Sequence, residues 1–430
     1  MGDDILTLFD ALGIAGKYKF CIGAPGASDL KKVAELMESI SAKRMNEEKS
    51  SAGASLLQYG APLGDPRSLH ALANFLTSEY GMAVSESHLT YTSGATAGFL
   101  HLITQLFPNK CDVYAEGLTY HVALQMLRLL NFNIKSVPIE VDGMNLEKLE
   151  QIWSKDLKEM TLEEQSKLPY QAMLYTIPTF QNPTGTVLSP EKCDRLVKLA
   201  RKYHVLVLSE DVYNIFYYDG SGAPPKRLFA YDNETDPDYG IGHVVSNCTF
   251  SKLLSPGLRL GWQELPVLLR EKYYEKSPKV YKTCDLSPII ISSGGLNPVI
   301  GGCVTLALED GSASKFIDGV RREHARKMQV TVDTLNTKLP SGCKLYYPSK
   351  GGYFCYVQIP ERLNAVDFVK YVKEKYSVIL PEGVKFASSS EDYVKEMSNG
   401  FRISIPYPTF DEVRDGINHI CVALHECLQK

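Results

Sequence analysis

A lysine set among hydroxyl residues, with an arginine seven positions downstream, carries the sharpest chemical signal in this chain. The string is Thr249-Phe-Ser-Lys-Leu-Leu-Ser-Pro-Gly-Leu-Arg259. A lysine amine condenses with carbonyls, and burial lowers its pKa enough to make it a nucleophile. Thr249, Ser251 and Arg259 add hydroxyl donors and a fork-shaped cation, the parts of a phosphate site. A Ser-Lys pair alone is ordinary solvated surface; the whole string is far more specific. Upstream, Pro178-Thr-Phe-Gln-Asn-Pro-Thr-Gly185 places Asn182 in a loop bounded by Pro and Gly. Asn182 offers a donor and an acceptor together, though Asn-Pro and Thr-Gly are also common turn pairs. Leu208-Ser-Glu-Asp-Val-Tyr213 ends an apolar run with two carboxylates and a tyrosine. Ser93-Gly-Ala-Thr96 has the small residues that let backbone N–H groups cradle an anion at a helix start, or simply cap a helix.

These residues need a frame. Short apolar strands alternate with amphipathic helices, which predicts an α/β fold with a largely parallel sheet. Strands are expected at residues 89–92, 113–115, 171–176, 205–208 and 244–246, and helices at 96–107 and 190–203. Val205-Leu-Val-Leu208 is wholly apolar, as the buried centre of a parallel sheet requires. Glu210, Asp211 and Tyr213 then stand at a strand's carboxyl end, where open α/β sheets bind ligands. A long charged helix over 312–339 opens a second, smaller α+β domain, with strands at 343–347, 353–358, 378–380 and 401–405 and a closing helix over 411–428. The expected division is an N-terminal arm over residues 1–45 that packs on the small domain, a large domain over 46–310, and the small domain over 311–430.

Composition narrows the function. At 430 residues the chain is too long for one core. Hydrophobic residues make up 44% and charged residues 22%, an ordinary globular mix that excludes disorder. The net charge of −4 offers no basic excess for nucleic acid. Ten scattered cysteines form no C-x-x-C pair, which argues for reduced thiols and against a zinc site. The acidic start, Met1-Gly-Asp-Asp-Ile-Leu, resembles no export signal, and no apolar run reaches the length of a membrane span. A cytoplasmic protein with neither a nucleic-acid nor a membrane partner is expected.

In this order the segments resemble the class I/II aminotransferases, the fold-type I enzymes that use pyridoxal 5′-phosphate. The likeness runs from Gly23-Ala-Pro25 through Gln58-Tyr-Gly-Ala-Pro-Leu-Gly64 to Phe401-Arg-Ile-Ser404. It is greatest to the branch with aromatic and 2-aminoadipate/kynurenine aminotransferases, as Gln58-Tyr-Gly, the Pro178–Gly185 string and Ser293-Gly-Gly-Leu-Asn297 suggest. The resemblance implies a three-layer α/β/α large domain. It also implies that Lys252 holds the cofactor covalently and serves as general base, and that Gly94, Ala95, Thr96, Thr249, Ser251 and Arg259 bind its phosphate. Tyr120 would stack on the ring, and Asn182 and Tyr213 would bond its phenolic oxygen. Arg402, with Asn182 and Gly23 nearby, would take the substrate carboxylate. Tyr59 would reach the phosphate of a neighbouring subunit, making a homodimer.

Two departures stand out. The family's pyridinium partner is an aspartate three residues before the ring tyrosine; here that position is Glu210, and Asp211 follows it. Successive strand side chains point to opposite faces, so only one of the two reaches the ring. Spacing favours Glu210, with Asp211 as the rival. The Gly23-Ala-Pro-Gly26 loop lacks the Phe-Pro often found after it, which leaves the amino acid open. His121, next to Tyr120, reads as a packing residue. The implied reaction passes an amino group from an L-amino acid to a 2-oxo acid such as 2-oxoglutarate. β-Elimination or decarboxylation on the same fold is the alternative, and a non-catalytic regulator is a further one.

Overall fold

The expected alternation closes into a seven-stranded sheet in the computed structural model, which describes residues 13, 15–51, 54–107, 110–167, 170–218, 224–270 and 297–429. In chain order its strands are β1 (Leu89–Thr92), β2 (Asp112–Glu116), β3 (Asn133–Val137), β4 (Ala172–Thr176), β5 (Val205–Glu210), β6 (Val244–Thr249) and β7 (Gly261–Glu264). Their order across the sheet is β1-β7-β6-β5-β4-β2-β3. Strands β2 to β6 run parallel, and β7 is antiparallel to both neighbours. Strand β5 shows why the sheet sits at the centre: all six of its residues are buried. Leu206 and Leu208 enter the core on one face and Val205 and Val207 the core on the other, as a period of two dictates.

Helices cover both faces. Helix α1 (Ala95–Leu106) follows β1 and sends Leu102 and Ile103 into the first core. Helix α2 (Pro190–Tyr203) covers the other face with Leu196, Val197 and Ala200. Its ends are written locally. The Ser189 side chain accepts the Lys192 N–H at 3.3 Å, Pro190 opens the first turn, and His204 ends the helix in a left-handed conformation (φ 50°). The chain reverses its direction across the sheet between β3 and β4, leaving a crevice beyond the carboxyl ends of the parallel strands. Tyr120, Asn182, Tyr213 and Lys252 all follow such ends.

The smaller lobe is a three-stranded antiparallel sheet of β8 (Lys344–Leu345), β9 (Phe354–Gln358) and β10 (Gly400–Ser404), packed by helix α3 (Ser312–Lys338) and helix α4 (Phe410–Gln429). Phe401 and Ile403 enter its core with Ile417, Ile420 and Leu424. Each such buried side chain contributes roughly 1.5–3 kcal/mol. Arg402, between them, must therefore face the other way, toward the large lobe.

Two helices join the lobes. In α3, Ile317 and Val320 belong to the large core, whereas Met328 and Leu335 belong to the small one. At the amino end, Tyr18–Lys19 pairs in parallel with Val378–Ile379, and Tyr18 and Phe20 enter the small core. The following helix, Ala27–Ser50, crosses to the large lobe, where Ile40 is buried, so residue 45 falls inside a helix. The described cysteines are free thiols; Cys284 lies outside the described residues. Residues 293–296 of the Ser293–Asn297 string also lie outside them, while Asn297 caps helix Pro298–Glu309 by accepting the Ile300 N–H at 3.2 Å. Among the described residues, no helix is long and apolar enough to cross a membrane.

Candidate active site

The crevice widens between the lobes into a cavity of about 670 Å³. Its walls carry Gly23, Ala95, Thr96, Tyr120, Asn182, Glu210, Tyr213, Thr249, Ser251, Lys252, Arg259 and Arg402. One cavity thus collects residues spread over nearly four hundred positions of sequence.

Lys252 sits on a single helical turn, Phe250–Leu253, directly after β6. Thr249 caps that turn: its hydroxyl accepts the Ser251 N–H at 3.0 Å and donates to Ser251 Oγ at 2.8 Å. The Lys252 ammonium donates to Gly23 O at 2.7 Å, and the Tyr353 hydroxyl donates to Lys252 O at 3.0 Å. Burial, aided by Arg402, pulls its pKa down to about 8, against the pull of Glu210. The amine is therefore within reach of its nucleophilic form near neutral pH.

Beside it, helix α1 starts at Gly94 with no side chain capping its first N–H groups. Gly94 is left-handed (φ 96°), and a Cβ there would lie 2.9 Å from Arg259 Nη2. Only glycine lets the guanidinium lie this close to the helix start. Arg259 is itself left-handed (φ 49°) and donates to Ser93 O at 3.3 Å and Pro256 O at 3.1 Å. Free N–H groups, two hydroxyls and an arginine make a donor set that fits a phosphate.

Glu210 and Asp211 part as a strand end requires. Glu210 lines the cavity, and its carboxylate accepts from Asn247 Nδ2 at 3.1 Å. Burial raises its pKa to about 7. Asp211 is absent from the cavity wall; it accepts from Ser209 Oγ at 2.8 Å and from Ser246 Oγ. The placement of Asp211 among the cofactor and catalytic residues is corrected on this point: its carboxylate is turned into the fold and taken up by two serines. Asn247 was not anticipated. It also donates to Ala95 O at 3.0 Å and accepts from Gln263 Nε2 at 3.0 Å, tying Glu210 to the start of α1. Gly98 makes the room, because a Cβ there would lie 2.7 Å from Asn247 Oδ1 and 2.9 Å from Gln263 Nε2.

Arg402 crosses from the small lobe. It donates to Asn182 Oδ1 at 3.0 Å and Cys21 O at 2.8 Å, and lies between Phe354 and Phe386, 4.3 and 4.9 Å from their ring centroids. Among the described residues no carboxylate pairs with it, and its Nε has no hydrogen-bond partner. Burial pulls its pKa down to about 10, so this guanidinium stays charged in an apolar seat. An unpaired buried cation of this kind is a receptor for an anion. Gly23 faces it: a Cβ there would lie 3.2 Å from Phe354.

The loops that present Tyr120 and Asn182 share one buried anchor. Glu116 accepts from Thr176 Oγ1 at 2.6 Å, Thr119 Oγ1 at 3.1 Å and Gln181 Nε2 at 3.4 Å. Burial raises its pKa to about 7. Glu116 stands in the string that leads to Tyr120, but nothing in the string reveals this role. His121 packs edge-on to Tyr120 and Phe386, with centroids 5.5 Å apart in both cases, and also lines the cavity. Tyr59 is not in the cavity; it is 85% exposed, next to Leu57 at 66%.

Comparison with known proteins agrees with this geometry. The family described as aminotransferase class I and II matches residues 17–420. Aromatic-amino-acid aminotransferase 1 of Thermococcus litoralis is 27% identical over 378 residues, covering 88% of this chain and 82% of that protein. The fold is shared with the multiple substrate aminotransferase of Thermococcus profundus, with a TM-score of 0.79 at 22% identity, covering 100% and 96% of the two chains. It is shared as well with the kynurenine aminotransferase of Pyrococcus horikoshii, with a TM-score of 0.78 at 24% identity, covering 99% and 95%. The chain belongs to the class I and II aminotransferases, enzymes that move amino groups with pyridoxal 5′-phosphate.

Proposed function

We propose that the enzyme transfers the amino group of a large L-amino acid, aromatic or kynurenine-like before 2-aminoadipate, to 2-oxoglutarate in the cytoplasm. The observation that carries this reading is Arg402, a buried guanidinium with no carboxylate of its own, in one cavity with an amine whose pKa is pulled down to about 8. The apolar rings of Phe354 and Phe386 beside Arg402 favour a large donor side chain. The names of the relatives point the same way.

In this reading Lys252 holds the cofactor, and Gly94, Ala95, Thr96, Thr249, Ser251 and Arg259 take its phosphate. Tyr120 covers its ring, and Asn182 and Tyr213 bond its phenolic oxygen. The cofactor supplies an electron sink for the pair left at the substrate Cα. Arg402 would fix the substrate carboxylate and so limit how the bonds at Cα turn. The Lys252 amine would serve as general base for the proton at Cα. Glu210, on the cavity wall, would keep a proton on the ring nitrogen. Asn247 keeps the Glu210 carboxylate in place. Tyr59 completes the phosphate site of a second copy, which accounts for an exposed tyrosine beside an exposed leucine.

A panel of L-amino acids assayed against 2-oxoglutarate tests the substrate reading. The highest kcat/KM is expected for aromatic donors. Release of ammonia or carbon dioxide without glutamate would point to elimination or decarboxylation.

Glu210→Gln removes the charge that keeps the ring nitrogen protonated. A buried pair broken on one side costs roughly 3–5 kcal/mol. The half-reaction should slow by about two to three and a half decades, at ~1.4 kcal/mol per decade. Asp211→Asn should cost far less. Single-turnover spectra of both variants decide the matter, and a crippled Asp211→Asn beside a near-normal Glu210→Gln would reverse the assignment.

For assembly, Tyr59→Phe and Lys252→Ala protomers are each expected to be poor enzymes. Mixed, they should regain activity, because one site of the hybrid is intact. A fully active monomer at assay concentration contradicts the shared site.

The amine itself can be titrated. Cofactor-free protein should take up pyridoxal phosphate faster as pH rises, levelling off above about 8, because only neutral Lys252 attacks. Arg402→Met removes a repelling cation, so Lys252 should hold its proton to higher pH and the midpoint should move up. A pH-independent rate over 6–9, or a downward shift in the variant, speaks against this.

A further inference from the structure

Behind the substrate loop lies a group of buried charges that the reaction does not use. Asp29 stands in the first turn of the helix Ala27–Ser50, three residues after Gly26. Its carboxylate is buried, 3.6 Å from His324 Nε2 and 3.7 Å from Lys32 Nζ. Lys327 follows His324 by one turn of α3 and is buried too. Its ammonium donates to Pro406 O at 3.2 Å and Pro408 O at 2.6 Å. Burial opposes ionisation of Asp29, but His324, Lys327 and Lys32 outweigh it and hold the carboxyl below its ordinary range. Buried charges cost several kcal/mol of desolvation each, so a pure core would be better served by apolar residues.

Lys327 grips the backbone of the site, and Asp29, in the first turn after the 21–26 loop, faces His324 on α3. The 406–408 turn continues the strand that carries Arg402. Gly26 presses on this turn: a Cβ there would lie 2.6 Å from Tyr407 O. Ser404 Oγ donates to Ile22 O at 2.8 Å. The same loop supplies Cys21 O to the Arg402 guanidinium and Gly23 O to the Lys252 ammonium. His324 meets Tyr353 edge-on, with centroids 5.5 Å apart at 86°, and Tyr353 holds Lys252 O.

We propose that Asp29 and Lys327 are positioning residues for the substrate carboxylate: Lys327 holds the 406–408 turn, Asp29 holds the 21–26 loop against it, and together they keep Cys21 O on Arg402. The inference rests on the role assigned to Arg402 above. Without either charge the loop and the turn separate, and Arg402 loses the carbonyl that aims its second nitrogen. Carboxylate binding then weakens. The same movement takes Gly23 O from the Lys252 amine, but Tyr353 still holds the Lys252 backbone, so proton transfer there changes less.

The test uses the cofactor-loaded enzyme and 3-phenylpropanoate, a carboxylate with no amino group to react. Asp29→Asn and Lys327→Gln should each raise its Kd and the KM of the amino donor roughly tenfold, equivalent to about 1.4 kcal/mol. The kcat should stay within about threefold. Gly26→Ala drives the loop from the turn without altering any charge, and should give the same split; it carries the test if either charge variant fails to fold. Arg402→Met is the control and should weaken the probe far more. If Arg402→Met weakens binding while all three others leave Kd and KM unchanged, lowering only the melting temperature, the positioning role is overturned. If Arg402→Met leaves the probe's affinity intact, the role of Arg402 fails and this inference falls with it. A loss confined to kcat also counts against it.

Discussion

The active site depends on one buried cation. Arg402 gives up bulk water and receives in return an amide oxygen, a backbone carbonyl and two aromatic faces. None of these carries a full negative charge, so the guanidinium keeps most of its field for whatever enters the cavity. Separate segments must meet to hold it there: the 21–26 loop, the Asn182 loop, strands β9 and β10, and the turn Gly383–Phe386. The meeting of the lobes and the readiness of the site for an anion are thus one structural fact. The same field reaches Lys252, where it helps to release the amine from its proton.

Opposed electrostatic demands share this cavity. Lys252 must shed a proton, and a neighbouring carboxylate works against that. Glu210 carries an acid on the same wall, and burial works against its charge. Asn247 eases the second conflict by donating to Glu210, and is itself held by Gln263 and by the start of α1. Asp211 would deepen the conflict if it faced the cavity. Ser209 and Ser246 draw it the other way, so two adjacent acids serve different environments.

Long helices, more than loops, connect the two lobes. Helix α3 contributes to both cores, and Ala27–Ser50 runs from the substrate loop into the large lobe. Rigid elements transmit position better than loops, and the buried groups Asp29, His324 and Lys327 lie where these helices cross. A division of the chain into arm, large domain and small domain is what the sequence leads one to expect. It describes these helices less well, because apolar stripes along one helix can serve two cores in turn.

Much of this was legible in the sequence because it is local. Helix α2 begins and ends where Ser189, Pro190 and the chain reversal at His204 dictate, and β5 declares its burial by its composition. The Lys252 string, the Asn182 loop and the Glu210–Tyr213 strand end could be read as chemistry, since a nucleophile, a rigid amide and an acid pair keep their character in any fold. Alternation along one strand said that only one of Glu210 and Asp211 could face the cavity, and spacing favoured Glu210. The roles of Asn247, Gln263 and Gly98 were not legible, because they rest on contacts between strands β6 and β7 and helix α1, far apart in sequence. Glu116 beneath two loops, and Asp29 beside Lys327, were hidden for the same reason. A carboxylate in a string looks the same whether it is solvated or buried, and only tertiary packing, by removing water and choosing its partners, decides which it is.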